Sequence, residues 1–146
     1  MKYSKAEVGR IFVIRLEDGD VLPSSLEKFA DDNGIEGGMC ILVGGVRSGG
    51  KVVVGPSSAE ERPVNPLLFH LEGVHEIAGV GTLFRDEEGK AKLHMHASMG
   101  RKDRSVTGCI RPGIQIWQVG EVVFLEIKTT GRRVNDKETG FELLEP

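Results

Sequence analysis

Two histidines stand two positions apart in Lys92-Leu93-His94-Met95-His96-Ala97-Ser98, and the whole chain has only four. Apolar Ala91, Leu93, Met95, Ala97 and Met99 alternate there with polar Lys92, His94, His96 and Ser98. Strict alternation predicts a β-strand, whose successive side chains leave opposite faces. Both imidazoles then project from one polar face. Two imidazoles at i and i+2 on a strand can converge on one metal ion.

The next segment offers a third donor. A hairpin turn centred on Lys102-Asp103 sets Cys109 opposite His96 and Arg111 opposite His94. Directly opposed residues share a face, with Cβ atoms about 5 Å apart. Two nitrogens and one thiolate suit zinc, and three protein ligands leave a fourth position open. From an open position zinc activates water or polarises a carbonyl. Arg111, on the same face, is placed to hold a carboxylate or phosphate. A preceding turn centred on Glu87-Glu88 would set Gly79 opposite His96 and Gly81 opposite His94, leaving open space above the sheet. Ala78, Val80 and Phe84 would then take the apolar face. In that register His75 shares the histidine face but stands roughly 13 Å from His96 at strand rise. A bulge or a neighbouring subunit would have to bring it, or His70, into the site. The fourth position is thus left to water, His75 or a neighbour's side chain. Cys40 lies in an apolar run and reads as a small buried hydrophobe.

Other chemistries lack their signatures. Gly79-Val80-Gly81-Thr82-Leu83-Phe84 has phenylalanine where a dinucleotide fingerprint needs its last glycine. Gly50-Lys51-Val52 lacks the hydroxyl residue of a phosphate loop, and no Gly-x-Ser-x-Gly elbow is present. Arg101, Lys102 and Arg104 are interrupted by Asp103 and read as a solvated turn; Arg132-Arg133 is equally short. A formal charge of -3 provides no bulk field for nucleic acid. Two cysteines without a signal-peptide pattern read as thiols in a reducing compartment, so the expected location is the cytoplasm. No run reaches the length of a membrane span.

The elements around the histidines follow from punctuation and period. The 146 residues are expected to form one domain, residues 1–146, and 20 glycines favour a strand-rich fold over a helical bundle. Gly9 to Glu17 reads as a strand closed by Asp18-Gly19-Asp20. Leu22, Leu26, Phe29 and Ala30 fall at helical spacing. Ser24 with Glu27 reads as a capping box and Gly34 as a C′ glycine, so a helix is expected over about Ser24 to Asn33. Met39 to Val46 lacks polar alternation and is expected to be buried on both faces. Gly55 to Pro66 reads as a loop, His75 to Phe84 as the strand preceding the histidines, and Ile114 to Lys128 as β-prone. Phe141, Leu143 and Leu144 of the mixed tail are expected to dock on the sheet.

Several of these segments resemble the PPC (plants and prokaryotes conserved) domain family. They are Ile14-Arg15-Leu16-Glu17-Asp18-Gly19-Asp20, Ser25 to Ala30, Gly34-Ile35, Gly44-Gly45-Val46, Gly81-Thr82-Leu83 and Leu93 to Gly100. Nearly the whole chain is covered. Where the family commonly has Gly-Gly-His, this chain has Thr107-Gly108-Cys109. A thiolate there keeps a zinc ligand. The resemblance implies an α+β fold with a curved, mostly antiparallel, barrel-like sheet, one or two short helices and a homotrimer. It also implies likeness to the zinc-dependent acetolactate decarboxylase fold. In plants the domain accompanies AT-hooks that contact DNA, and no Arg-Gly-Arg-Pro hook is present here. The candidate ligands and Arg111 lead to an expected function as a zinc-binding enzyme or sensor for a small carbonyl or carboxylate ligand; the resemblance itself names no substrate. The alternatives are a DNA-associated transcriptional regulator with structural zinc, and a pure assembly module.

Overall fold

Alternating apolar residues and glycine-marked turns make the regular structure of this chain almost entirely strand. The computed structural model describes residues 1–146. In chain order the elements are β1 (Glu7–Glu17), β2 (Val21–Leu22), α1 (Ser24–Asp32), β3 (Gly37–Val46), β4 (Lys51–Pro56), β5 (Pro66–His70) and β6 (His75–Arg85). There follow β7 (Ala91–Arg101), β8 (Arg104–Cys109), β9 (Ile114–Lys128), β10 (Arg132–Asp136) and β11 (Phe141–Glu145). The main sheet runs β1-β9-β3-β6-β7-β8-β4-β5, with β2 paired to β9; β10 and β11 form a separate hairpin. All pairings are antiparallel. The α+β class with one short helix is as expected. The barrel-like closure is not, because β1 and β5 are free edges and the sheet stays open. No helix is long and apolar enough to cross a membrane.

One face of the sheet carries the core. Leu26 and Ala30 of α1 pack there with Cys40, Leu42, Met95 and Phe124, all fully buried. Burial also pushes the Cys40 thiol up to about 12, which keeps it a neutral, inert filler. The expected capping box at the start of α1 does not form. Ser24 Oγ donates backwards to Val21 O at 2.9 Å, and Glu27 Oε1 accepts from Leu93 N at 3.0 Å. Glu27 thus fastens the helix to the histidine strand instead of capping it. Gly34 ends the helix at φ +61.

The β6–β7 register differs by one residue from the sequence expectation. Asp86 Oδ1 accepts from the backbone N–H groups of Glu88 and Lys90, both at 2.9 Å, and builds a turn one residue longer than a turn centred on Glu87-Glu88. Arg85 therefore pairs with Ala91, Thr82 faces His94 and Val80 faces His96. A one-residue slip moves every side chain to the other face. Gly79 and Gly81 consequently lie on the core face, opposite Ala97 and Met95. A Cβ on Gly81 would stand 2.9 Å from Met95 Cβ and 3.1 Å from Leu93 Cδ1. These glycines make room for core side chains rather than for a ligand. The same slip puts Ala78, Val80 and Phe84 on the histidine face and turns His75 away from it.

The outer face is open in the isolated chain. Met39 to Val46 was expected to be covered on both sides, yet Ile41 is 52% and Val43 48% exposed. No element of the chain lies over them, so an unbroken apolar sequence here marks an uncovered surface. At the first edge, Val8 and Ile11 flank a bulge in β1. Glu126 pins it, accepting from Arg10 N, Nε and a terminal guanidinium nitrogen, each at 2.8 Å.

Two measurements test this packing. Gly81→Val is expected to lower the unfolding free energy by about 1–3 kcal/mol through overpacking; an unchanged urea midpoint would contradict the close approach of Met95. The Arg10 hydrogen bonds hold the Glu126 carboxyl at about 2, below its ordinary 4.5. A depressed value means stability that is full above 4.5 and is lost as pH falls toward 2. Glu126→Gln should therefore lower the thermal midpoint at neutral pH and flatten its acid dependence over that window. Parallel acid profiles for the two proteins would refute the role of the pair.

Candidate metal centre

His94 and His96 leave the outer face of β7, and Cys109 is the last residue of β8. The Lys102-Asp103 turn sets Arg101 opposite Arg104 and hence Cys109 opposite His96, the pairing the sequence predicts. Lys102 turns the chain at φ +56. The two imidazole Nε2 atoms are 3.2 Å apart, with ring planes at 82°. One nitrogen of each histidine and Cys109 Sγ all lie within 4.8 Å of one another. A tetrahedral ion bonded to nitrogen at about 2.0–2.1 Å would hold two such atoms about 3.3–3.4 Å apart. The donor set suits a zinc-type ion, and the spacing of its two nitrogens fits one. Partial burial, then the charges of Arg133, His96 and Arg111, push the His94 imidazole below its ordinary value. The neutral ring so favoured is the form that ligates a metal.

The three donors open into a cleft of about 780 Å³, within the range of small-molecule sites. Its charged lining is four basic side chains, Arg62, Lys92, Arg111 and Arg133, against the acidic Glu27 and Glu142. Arg111 does line the cleft, but beyond the end of β8. It is exposed, and its guanidinium lies over the Phe141 ring at 4.9 Å. His75 is not part of this site. It is 8% exposed on the core side of β6, with Nδ1 3.0 Å from Gly73 O. With His70 it borders a different cleft.

Sequence reasoning missed Arg133. The pair Arg132-Arg133 looked like a short solvated basic patch, yet Arg133 is only 6% exposed and reaches the cleft from β10. The β10–β11 hairpin lies over the site with Phe141 half-buried, whereas Leu143 and Leu144 remain largely exposed. The legible signal was the hairpin pattern itself, two short β-prone runs around Lys137 to Gly140, which puts alternate residues such as Arg133 on an inward face.

Comparison with known proteins finds the same fold. A metal-containing protein from Archaeoglobus fulgidus superposes with a TM-score of 0.85 at 24% identity, covering 100% of both chains. A plant- and prokaryote-conserved (PPC) protein from Pyrococcus horikoshii gives 0.79 at 19% identity, again over 100% of both. A protein from Bacteroides thetaiotaomicron, named as a candidate DNA-binding protein, gives 0.76 at 16% identity over 96% of both. At such identities the likeness establishes the fold alone. No protein of curated function matches the chain. The model of the Plants and Prokaryotes Conserved (PCC) domain matches residues 3–128, and with that span matched the chain belongs to this family.

Proposed function

We propose that this chain is a zinc-binding protein that holds the ion through His94, His96 and Cys109 and acts, as an enzyme or a sensor, on a small carbonyl or carboxylate compound. The observation that carries the proposal is the convergence of three donor atoms within 4.8 Å at the floor of a basic cleft. A bound zinc would supply Lewis acidity toward a carbonyl or a bound water. The chain's own part is to fix the donors. His94 and His96 are held two apart on a paired strand, and Cys109 is held across the ladder from His96. Four basic side chains attract an anion to the cleft. The DNA-associated alternative draws support from the name of the Bacteroides protein, but its 16% identity carries the fold alone, and this chain is acidic overall.

Homotrimeric assembly belongs to the same proposal. Val13, Val123, Ile41 and Val80 pair across four neighbouring strands in one row that ends at His96. Their exposures are 88%, 50%, 52% and 54%. A contiguous apolar row of this kind marks an association surface. The family resemblance supplies the number three.

Metal content by elemental mass spectrometry, on protein without a histidine tag, tests the site. Near one zinc per chain is expected in the wild type, and less than about a tenth of that in Cys109→Ala after dialysis. His96→Ala should lose metal and keep its fold, since His96 is exposed on the outer face of β7. A wild type that stays metal-free after zinc is added back would remove the site. Sedimentation velocity tests the assembly. The wild type should run near three times 15.9 kDa, and Ile41→Lys with Val80→Lys near one chain. A monomeric wild type at micromolar concentration would refute the trimer.

A further inference from the structure

The buried side of the cleft contains a cation with an unsatisfied donor and no ion pair. Arg133 is 94% buried when its 6% exposure is taken from the whole, and its Nε has no hydrogen-bond partner. A terminal guanidinium nitrogen donates to Thr82 Oγ1 at 3.0 Å, and the guanidinium lies 5.7 Å from the centre of the Phe84 ring. Neither contact neutralises the charge. Glu142 on the facing strand is near enough to act on the Arg133 charge but makes no hydrogen bond to it; its ion pair, at 3.7 Å, is with Lys92. Lys92 is also within 3.6 Å of Asp86. Buried charges are ordinarily paired and fully hydrogen-bonded, because an uncompensated one is expensive to desolvate. An arginine that is buried, set against an aromatic ring and still short of an acceptor is arranged for an anion that comes from outside.

We propose that Arg133, rather than Arg111, is the anion anchor of the cleft, and that the ligand is a small 2-hydroxy or 2-oxo carboxylic acid whose carboxylate meets the Arg133 guanidinium. The assignment rests on the metal-site reading for the second contact only. The ligand's neighbouring oxygen faces the His94–His96–Cys109 cluster, which borders the same cleft. Thr82 ties the two halves together. It is the cross-strand partner of His94 and the hydrogen-bond partner of Arg133, so the anchor and the donors are held one ladder step apart. Arg111 is a poorer anchor, because it is exposed and its guanidinium face is already occupied by Phe141. A planar guanidinium matches a planar carboxylate through two parallel donors. The positive lining favours an anion over a neutral carbonyl compound, and a single buried arginine matches one carboxylate better than a multiply charged phosphate.

Isothermal titration with glycolate, the smallest 2-hydroxy acid, tests the assignment. Acetate and inorganic phosphate serve as comparators, and each protein is titrated as isolated and after metal removal. Glycolate should bind the wild type and lose tenfold or more in Arg133→Met, as expected for a hydrogen-bonded charge partner. Arg111→Met removes only one of the attracting charges and should lose less affinity than Arg133→Met. The thermal midpoint of Arg133→Met should be unchanged or raised, because the substitution removes an unpaired buried charge. Should Arg133→Met fail to fold, Arg133→Lys, which keeps the charge without the fork, decides by the same tenfold criterion. Equal glycolate affinity in a folded, metal-loaded Arg133 variant overturns the anchor and leaves the metal site intact. Arg133-dependent binding that survives in metal-free protein supports the anchor even where the metal reading fails. Wild type that binds no probe, or binds phosphate more tightly than glycolate through Arg133, overturns the proposed ligand class.

Discussion

The reversal of direction at Lys102-Asp103 fixes everything downstream in the site. With Arg101 facing Arg104, each step along β8 is counted from that point, and Cys109 arrives opposite His96. A slip of one residue would turn Cys109 to the core face and Gly108 outward. The sheet blocks that slip from its other side. At Gly108 a Cβ would stand 2.5 Å from the carbonyl oxygen of Val53, so only glycine fits where β4 crosses close to β8. Turn geometry and one close backbone approach therefore specify the same register, and neither involves the donors themselves.

The two faces of the sheet have different needs. The inner face is closed by α1, whose Glu27 reaches across to the backbone of Leu93. The outer face is apolar toward β1 and β9 and polar toward β7 and β8, with the histidines at the boundary. A single chain leaves that apolar part in water, at a cost of roughly 25 cal/mol per Å² of surface that could otherwise be buried. The unsatisfied area and the unsatisfied Nε of Arg133 are two places where this chain, taken alone, departs from the usual rules of folded proteins. Both border the same histidines.

Much of this was legible in the sequence because it depended on local periodicity. The alternation from Ala91 to Met99 gave β7, and the helical spacing of Leu26, Phe29 and Ala30 gave α1, whereas Leu22 lies before the helix in β2. The β7–β8 pairing followed because its turn is short. The β6–β7 pairing did not, because the Asp86 side chain takes two backbone N–H groups and adds a residue to the turn. No count of apolar residues reveals that bond. Ile41 and Val43 misled for a different reason. A hydrophobic run says that a face avoids water, but not whether the same chain covers it. Arg133 was hidden because its surroundings come from Phe84 and Thr82, about 50 positions away.

The β10–β11 hairpin lies beyond residues 3–128 matched by the family and makes no strand pairing with the main sheet. The three donors sit inside that span, while Arg133 and Phe141 sit outside it. The two proposed duties, holding an ion and choosing what approaches it, are therefore written on separate stretches of the chain. A mutation in the tail can alter the second without disturbing a rung of the ladder that sets the first.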